Sequence, residues 1–402
     1  MSFEGLYSGA AGRLKPSIIR ALLKLVQRGE VVSLAGGTPD SQLFDLDLYA
    51  EISRQAVLEH GRLALQYGET QGWLALREGV ADYLAGRGLK LGADQVLITT
   101  GSQQAIDLLG RLFLDPGDAV AMEEPGYLGA IINFRTYGAQ ILPLPLRGPE
   151  GLDPAEVDAA LSTWKGGRPK FLYLTPTYQN PSGANLGPER RKALAEVAAK
   201  HGLLLVEDDP YAEISFEGPP PQPICALAPE GQSVYLGSFS KMAVPGLRLG
   251  WIAGPPELIA KLTLSKESAD VCSSVLAQAI AAAVLKGGHL AAALPKLRAA
   301  YRARRDTLQT ALQACLPGGS KVWPNQGGFF LWAELPKEYD ASALFNRAVE
   351  QGVAYVPGAV FYSAEGRGLN TMRLSYCAVA EDKLKLGAER LGKVLAGSMV
   401  KA

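Results

Sequence analysis

A chain of 402 residues, 48% hydrophobic and 20% charged, is long enough to bury a large core and to divide into more than one domain. Its 40 basic and 40 acidic residues cancel, which removes the electrostatic case for nucleic acid or an anionic membrane and leaves small molecules or a second copy of the chain as partners. Three isolated histidines and four cysteines without metal-ligand spacing exclude a local zinc site or Ser-His-Asp triad; no apolar run spans a bilayer, the start lacks an export signal, and the thiols suit a reducing cytoplasm.

In chain order, the N-terminal segment opens with a helix from Pro16, whose apolar positions Ile19, Leu22, Leu23 and Val26 lie opposite Arg20, Lys24 and Gln27. A Gly-rich loop, Ala35 to Pro39, follows. Residues 1–60 show no sheet partners of their own and are expected to pack with a later, smaller domain. From about residue 95 to 255, short β-branched and aromatic runs alternate with helical patterns: Val96 to Thr100, Ala119 to Met122, Phe171 to Thr175, Leu203 to Glu207, Val234 to Ser238 and Leu249 to Ala253. That rhythm predicts an α/β fold built on a mostly parallel sheet, and the continuously apolar runs predict helices on both faces. Residues 61–290 are assigned to this large domain. After residue 290, a long helix from Leu294 to Ala314 and strands at Gly328 to Glu334, Ala354 to Val356 and Met372 to Tyr376 predict a smaller α+β domain, residues 291–402.

Ligands of such sheets bind at the carboxyl ends of the strands, and polar clusters follow several of these strands. Gly101-Ser102-Gln103 closes one strand and opens a helix, where free N–H groups form an anion site or simply an N-cap. Glu124-Pro125-Gly126-Tyr127 is a turn whose tyrosine either stacks on a flat ring or packs in the core. Asn180-Pro181-Ser182-Gly183 is a second turn. Asp208 ends a buried strand, where an unpaired carboxylate is costly; it either caps a helix or finds a cationic partner such as a pyridinium nitrogen, with Tyr211 three residues on. Arg373 sits among apolar neighbours and invites either a ligand carboxylate or an internal salt bridge.

The densest signal is the run from Ser238 through Ser240 and Lys241 to Arg248. A lysine between two hydroxyls and an arginine can form a Schiff base with an aldehyde cofactor whose phosphate the neighbours grip, which is pyridoxal phosphate chemistry. Ser238-x-x-Lys241 also fits the nucleophile motif of serine β-lactamases, but their Ser-Asp-Asn and Lys-Thr-Gly companions occur nowhere in the chain.

Taken in order over nearly the whole chain, these segments resemble the class I/II aminotransferases of the fold-type-I pyridoxal phosphate superfamily, which implies a seven-stranded sheet domain beside a smaller one. By that resemblance Lys241 bonds the cofactor aldehyde, Asp208 pairs with the pyridine nitrogen, and Asn180 and Tyr211 hold the phenolic oxygen. Ser102, Gln103, Ser238 and Arg248 grip the phosphate, Gly101 and Ser240 are further cofactor-binding residues, Tyr127 stacks on the ring, and Arg373 binds the substrate α-carboxylate. Tyr67 matches the family tyrosine that reaches the neighbouring subunit's phosphate, implying a homodimer with shared active sites. The N-terminal loop, with Gly37 at the substrate, and Arg20 look like the 2-aminoadipate and kynurenine aminotransferase subgroup, in which an arginine on this helix meets a distal carboxylate. The implied reaction is ping-pong transfer of an amino group from an L-amino acid to a 2-oxo acid such as 2-oxoglutarate. β-Lyases, decarboxylases and regulators with an aminotransferase-like sensor domain share the same cofactor bed.

Overall fold

The computed structural model describes residues 3–14 and 31–397. Its strands in chain order are β1 (Val32–Ser33), β2 (Val96–Thr99), β3 (Ala119–Glu124), β4 (Gln140–Pro145), β5 (Pro169–Leu174), β6 (Leu204–Asp208) and β7 (Ser233–Ser238). They continue with β8 (Gly250–Ala253), β9 (Lys321–Val322), β10 (Phe330–Glu334), β11 (Val353–Ala354), β12 (Val356–Pro357) and β13 (Thr371–Ser375).

A seven-stranded sheet in the order β2-β8-β7-β6-β5-β3-β4 forms the large unit. Every neighbouring pair is parallel except those of β8, which runs antiparallel to both β2 and β7. The central strands are buried nearly throughout because their side chains alternate between two apolar layers. Leu97, Val120, Tyr173 and Val206 face helices Ser102–Phe113, Leu128–Thr136 and Pro256–Asp270. Ile98, Ala121, Leu172 and Leu205 face the opposite layer, which includes Val80, Leu84, Leu194 and Ile280.

β4 escapes the pattern reading because Pro143 and Pro145 break it; proline lacks the ladder N–H, and the structure accommodates both on the sheet's edge, opposite Met122 and Glu124.

A second sheet, β12-β13-β10-β9, is antiparallel and packs with helices His289–Cys315, Ala341–Glu350 and Glu381–Ala396. The stretch expected to be one strand near residue 355 is two, β11 and β12, interrupted at Tyr355. The N-terminal segment does have a sheet partner: β1 pairs in parallel with β11, and Val32 and Leu34 join the small unit's core. Helix Leu46–Ala64 packs instead along helix Val275–Lys286. Among the described residues no single helix is long and apolar enough to cross a membrane.

Candidate active site

The sheet topology brings the chemistry to one edge. β2, β3, β5, β6 and β7 run the same way, so the residues that follow them emerge together; β8 runs back, and its register of Gly250 against both Thr99 and Ser238 delivers the preceding Arg248 to the same edge. There a cavity of about 340 Å³ is lined from the large sheet by Gly101, Ser102, Gln103, Tyr127, Asn180, Asp208, Tyr211, Ser238, Ser240, Lys241 and Arg248, and from elsewhere by Gly37 and Arg373. Thirteen of the sequence-predicted site residues thus share one space. Thr38, Thr175, Pro210 and Phe330 also line it and carried no sequence signal of their own.

One end of the cavity is built for an anion. The first N–H groups of any helix lack intrahelical acceptors, and helix Ser102–Phe113 starts on Gly101, which has no side chain to cap them. Gly101 has φ +79°, and a Cβ there would lie 2.9 Å from an Arg248 guanidinium nitrogen, so glycine permits loop and arginine to converge. Ser238 caps the short helix Phe239–Met242 by accepting from the Ser240 N–H at 3.2 Å.

Lys241 lies on that helix and donates from Nζ to the Gly37 carbonyl at 2.8 Å. Burial lowers its amine to about 8, and the positive charges of Arg373 and Arg248 push the same way. Asp208 is buried at the end of β6. The Tyr173 hydroxyl donates to its Oδ2 at 2.5 Å, whereas Oδ1 has no partner. Burial pushes this carboxyl up to about 7, Asp209 adds to the rise, and the Tyr173 bond opposes it.

Arg373 has no carboxylate partner among the described residues. Its Nη1 donates to Asn180 Oδ1 and its Nη2 to the Ala35 carbonyl, both at 2.8 Å, while Nε is unpaired. The guanidinium lies over Phe330 at 4.2 Å and Phe361 at 5.1 Å, and burial lowers it to about 10. Among the described residues, the internal salt bridge that the sequence left open for Arg373 is therefore not formed.

The two turns are held to each other. Gln179 donates to the Pro125 carbonyl at 2.7 Å and accepts from the Ser182 N–H at 2.9 Å. Tyr127 donates to Gln103 Oε1 at 3.2 Å, beside the anion end, and Tyr211 packs edge-on against Phe329 and Phe330.

Two predicted residues are not in this space. Tyr67 is 78% exposed and lines no part of the cavity, and Arg20 lies outside the described residues.

Pyridoxal phosphate fits these residues: it has a phosphate for the uncapped helix, an aldehyde for the lysine, and a ring nitrogen for the orphaned Asp208 oxygen. A sheet of this topology, with such groups at its strand ends and a smaller α+β unit alongside, is the architecture of fold-type-I pyridoxal phosphate enzymes.

Comparison with known proteins narrows the class. Residues 30–391 match aminotransferase class I and II, and the chain belongs to that family. It is 40% identical to the 2-aminoadipate transaminase of Thermus thermophilus over 99% of this chain and 98% of that one. It is 39% identical to aromatic-amino-acid aminotransferase 1 of Thermococcus litoralis over 100% of this chain and 96% of that one. The crystal structure of Pyrococcus horikoshii kynurenine aminotransferase, in complex with PMP, superimposes with a TM-score of 0.95 at 39% identity, covering 100% of this chain and 99% of the other. The chain is a pyridoxal phosphate-dependent aminotransferase.

Proposed function

We propose that the chain moves the amino group of an L-amino acid to a 2-oxo acid such as 2-oxoglutarate in two half-reactions, with 2-aminoadipate or glutamate as donor and leucine or aromatic amino acids also accepted. The names of the relatives support the 2-aminoadipate and aromatic parts of that range. The observation that carries the residue roles is the meeting, in one cavity, of a buried lysine amine, a half-satisfied aspartate and an arginine with no carboxylate partner among the described residues.

The bound cofactor supplies an electron sink for the charge that develops at the substrate Cα. Lys241 holds the cofactor; released from it, Nζ takes the Cα proton as general base, a task that its low proton affinity suits near neutral pH. Asp208 Oδ1 keeps the ring nitrogen protonated. The uncapped helix start, with Gly101, Ser102, Gln103, Ser238, Ser240 and Arg248, would hold the phosphate, and Tyr127 would stack on the ring. Asn180 and Tyr211 hold the ring's phenolic oxygen. Arg373 receives the substrate α-carboxylate on its fork, beside Gly37, and so orients the Cα–H bond. Arg20 is assigned to a donor's distal carboxylate.

The exposed Tyr67, with Leu58 and Leu65 at 66% and 70% exposure, gives an apolar face. We assign that face to a second copy of the chain, with Tyr67 reaching the partner's phosphate site. The four free cysteines suit a cytoplasmic enzyme.

The visible spectrum tests the function directly. The purified protein incubated with pyridoxal phosphate should show an absorption band absent from Lys241→Met, lose it on addition of 2-aminoadipate or glutamate, and regain it with 2-oxoglutarate. A wild type without the band overturns the cofactor roles; release of free ammonia, or of CO₂, with no amino group passed to 2-oxoglutarate overturns amino transfer.

Arg373→Lys should lower kcat/KM for every donor roughly a hundredfold, mostly through KM, because an ammonium cannot bind a carboxylate bidentately. An unchanged KM would remove Arg373 from the carboxylate site.

A further inference from the structure

Tyr173 lies on β5, 35 residues before Asp208 in sequence, and belongs to no motif. In the parallel register Tyr173 stands opposite Val206, and two residues on, on the same face, is Asp208. The phenol is 1% exposed, is steadied by an edge contact with Phe134 at 5.6 Å, and donates to Asp208 Oδ2 at 2.5 Å. Among the described residues it is the one hydrogen-bond donor on this carboxylate, and no cation pairs with Asp208. Of the other titratable groups around Asp208, Asp209, the next residue in the chain, and Glu123 from β3 disfavour its charge, the phenols of Tyr127 and Tyr211 are neutral, and the cations across the cavity, Lys241, Arg248 and Arg373, form no ion pair with it.

We propose that Tyr173 is a positioning residue for the cofactor's ring nitrogen: by occupying Oδ2 it turns Oδ1 toward the cavity, and by stabilising the carboxylate it keeps the shared proton on the ring rather than on Asp208. This rests on the pyridoxal phosphate reading of the site. A proton between a buried carboxylate and a pyridine goes to whichever base is stronger there, and a donor on the carboxylate weakens it as a base. Burial and the neighbouring Asp208 hold the Tyr173 phenol far above its usual range, so it remains a donor across the working pH.

The test loads the full-length protein with pyridoxal phosphate labelled with ¹⁵N in the ring and reads the nitrogen's NMR shift. The wild type should show a protonated ring. Tyr173→Phe, which keeps the contact with Phe134, should move the shift toward that of neutral pyridine, with kcat lower by about ten- to a hundredfold and KM little changed. In the cofactor-free protein, the carboxyl of Asp208 followed by infrared difference spectroscopy should titrate at higher pH in Tyr173→Phe than in the wild type. A purely structural role would reduce stability and cofactor affinity but leave the nitrogen shift alone, and an unchanged shift in a loaded Tyr173→Phe overturns the proposal. If Tyr173→Phe does not fold, 4-aminophenylalanine incorporated at position 173 supplies a weaker donor: a shift partway to neutral supports the proposal, and a wild-type shift overturns it. A wild type that takes up no cofactor at all would instead overturn the reading on which the proposal rests.

Discussion

Lys241→Met is expected to lose turnover by roughly 10⁴-fold or more, since one change removes both the bond to the cofactor and the general base. The same variant is expected to be more stable than the wild type when both are free of cofactor. Burial lowers the Lys241 amine from its usual 10.5 to about 8. Below pH 8 the folded protein therefore carries a charged amine in a site that disfavours it, and that cost is fully present. Between pH 8 and 10.5 the folded amine is neutral while the unfolded one remains protonated, so wild-type stability rises with pH and the cost fades. Methionine, similar in volume and uncharged, should gain up to about 3 kcal/mol at pH 7, less what the Gly37 hydrogen bond contributes, and little above pH 10. Denaturant unfolding of both proteins at pH 7 and 10 checks this. Equal stability at pH 7, or a gain independent of pH, would mean that the amine is not held in a desolvated site.

Asp208→Asn carries the second large effect. An amide cannot keep a ring nitrogen protonated, so turnover is expected to fall by roughly a thousandfold, which corresponds to about 4 kcal/mol of lost transition-state stabilisation. Cofactor-free stability should move the other way. Burial raises the Asp208 carboxyl from 3.8 to about 7. Below pH 3.8 it is protonated in both states and costs nothing by this route. As pH rises to 7 the unfolded group ionises while the folded one resists, so the penalty grows to its full size and stays there. Asparagine retains an acceptor for the Tyr173 hydroxyl and should therefore be more stable by up to about 4 kcal/mol at pH 8, with the advantage shrinking toward pH 4. Loss of stability at pH 8 would show that Asp208 has a compensating partner in the cofactor-free protein. In both variants, groups held at a cost in stability are the ones assigned to the chemistry.

Most of the cavity was legible in the sequence because its parts are short and local. A strand followed by Gly101-Ser102-Gln103, a buried strand ending in Asp208, and Lys241 among hydroxyls each combine a hydrophobic run with polar residues at its carboxyl end, and a parallel sheet places all such ends along one edge. What stayed hidden involved partners distant in the chain or a local pattern that ran against the outcome. Pro143 and Pro145 concealed β4 because edge pairing, which tolerates them, is a property of the assembled sheet. The two-residue β1 could not declare itself, because its partner lies more than 300 residues away.

Composition, periodicity and strand-end motifs by themselves determined an α/β protein with a phosphate-and-lysine site, since backbone geometry turns a period of two or of 3.6 residues into a buried face without reference to the rest of the chain. Only the tertiary structure decided the company each charged group keeps. It set Arg373 against two phenylalanines with no carboxylate partner among the described residues, brought Arg248 back to Gly101 just ahead of an antiparallel strand, left Tyr67 outside its own chain's cavity, and put Tyr173 behind Asp208. The reason is physical: proton affinity and pairing depend on burial and on atoms a few ångströms away, and those distances are set by packing between segments that the sequence keeps far apart.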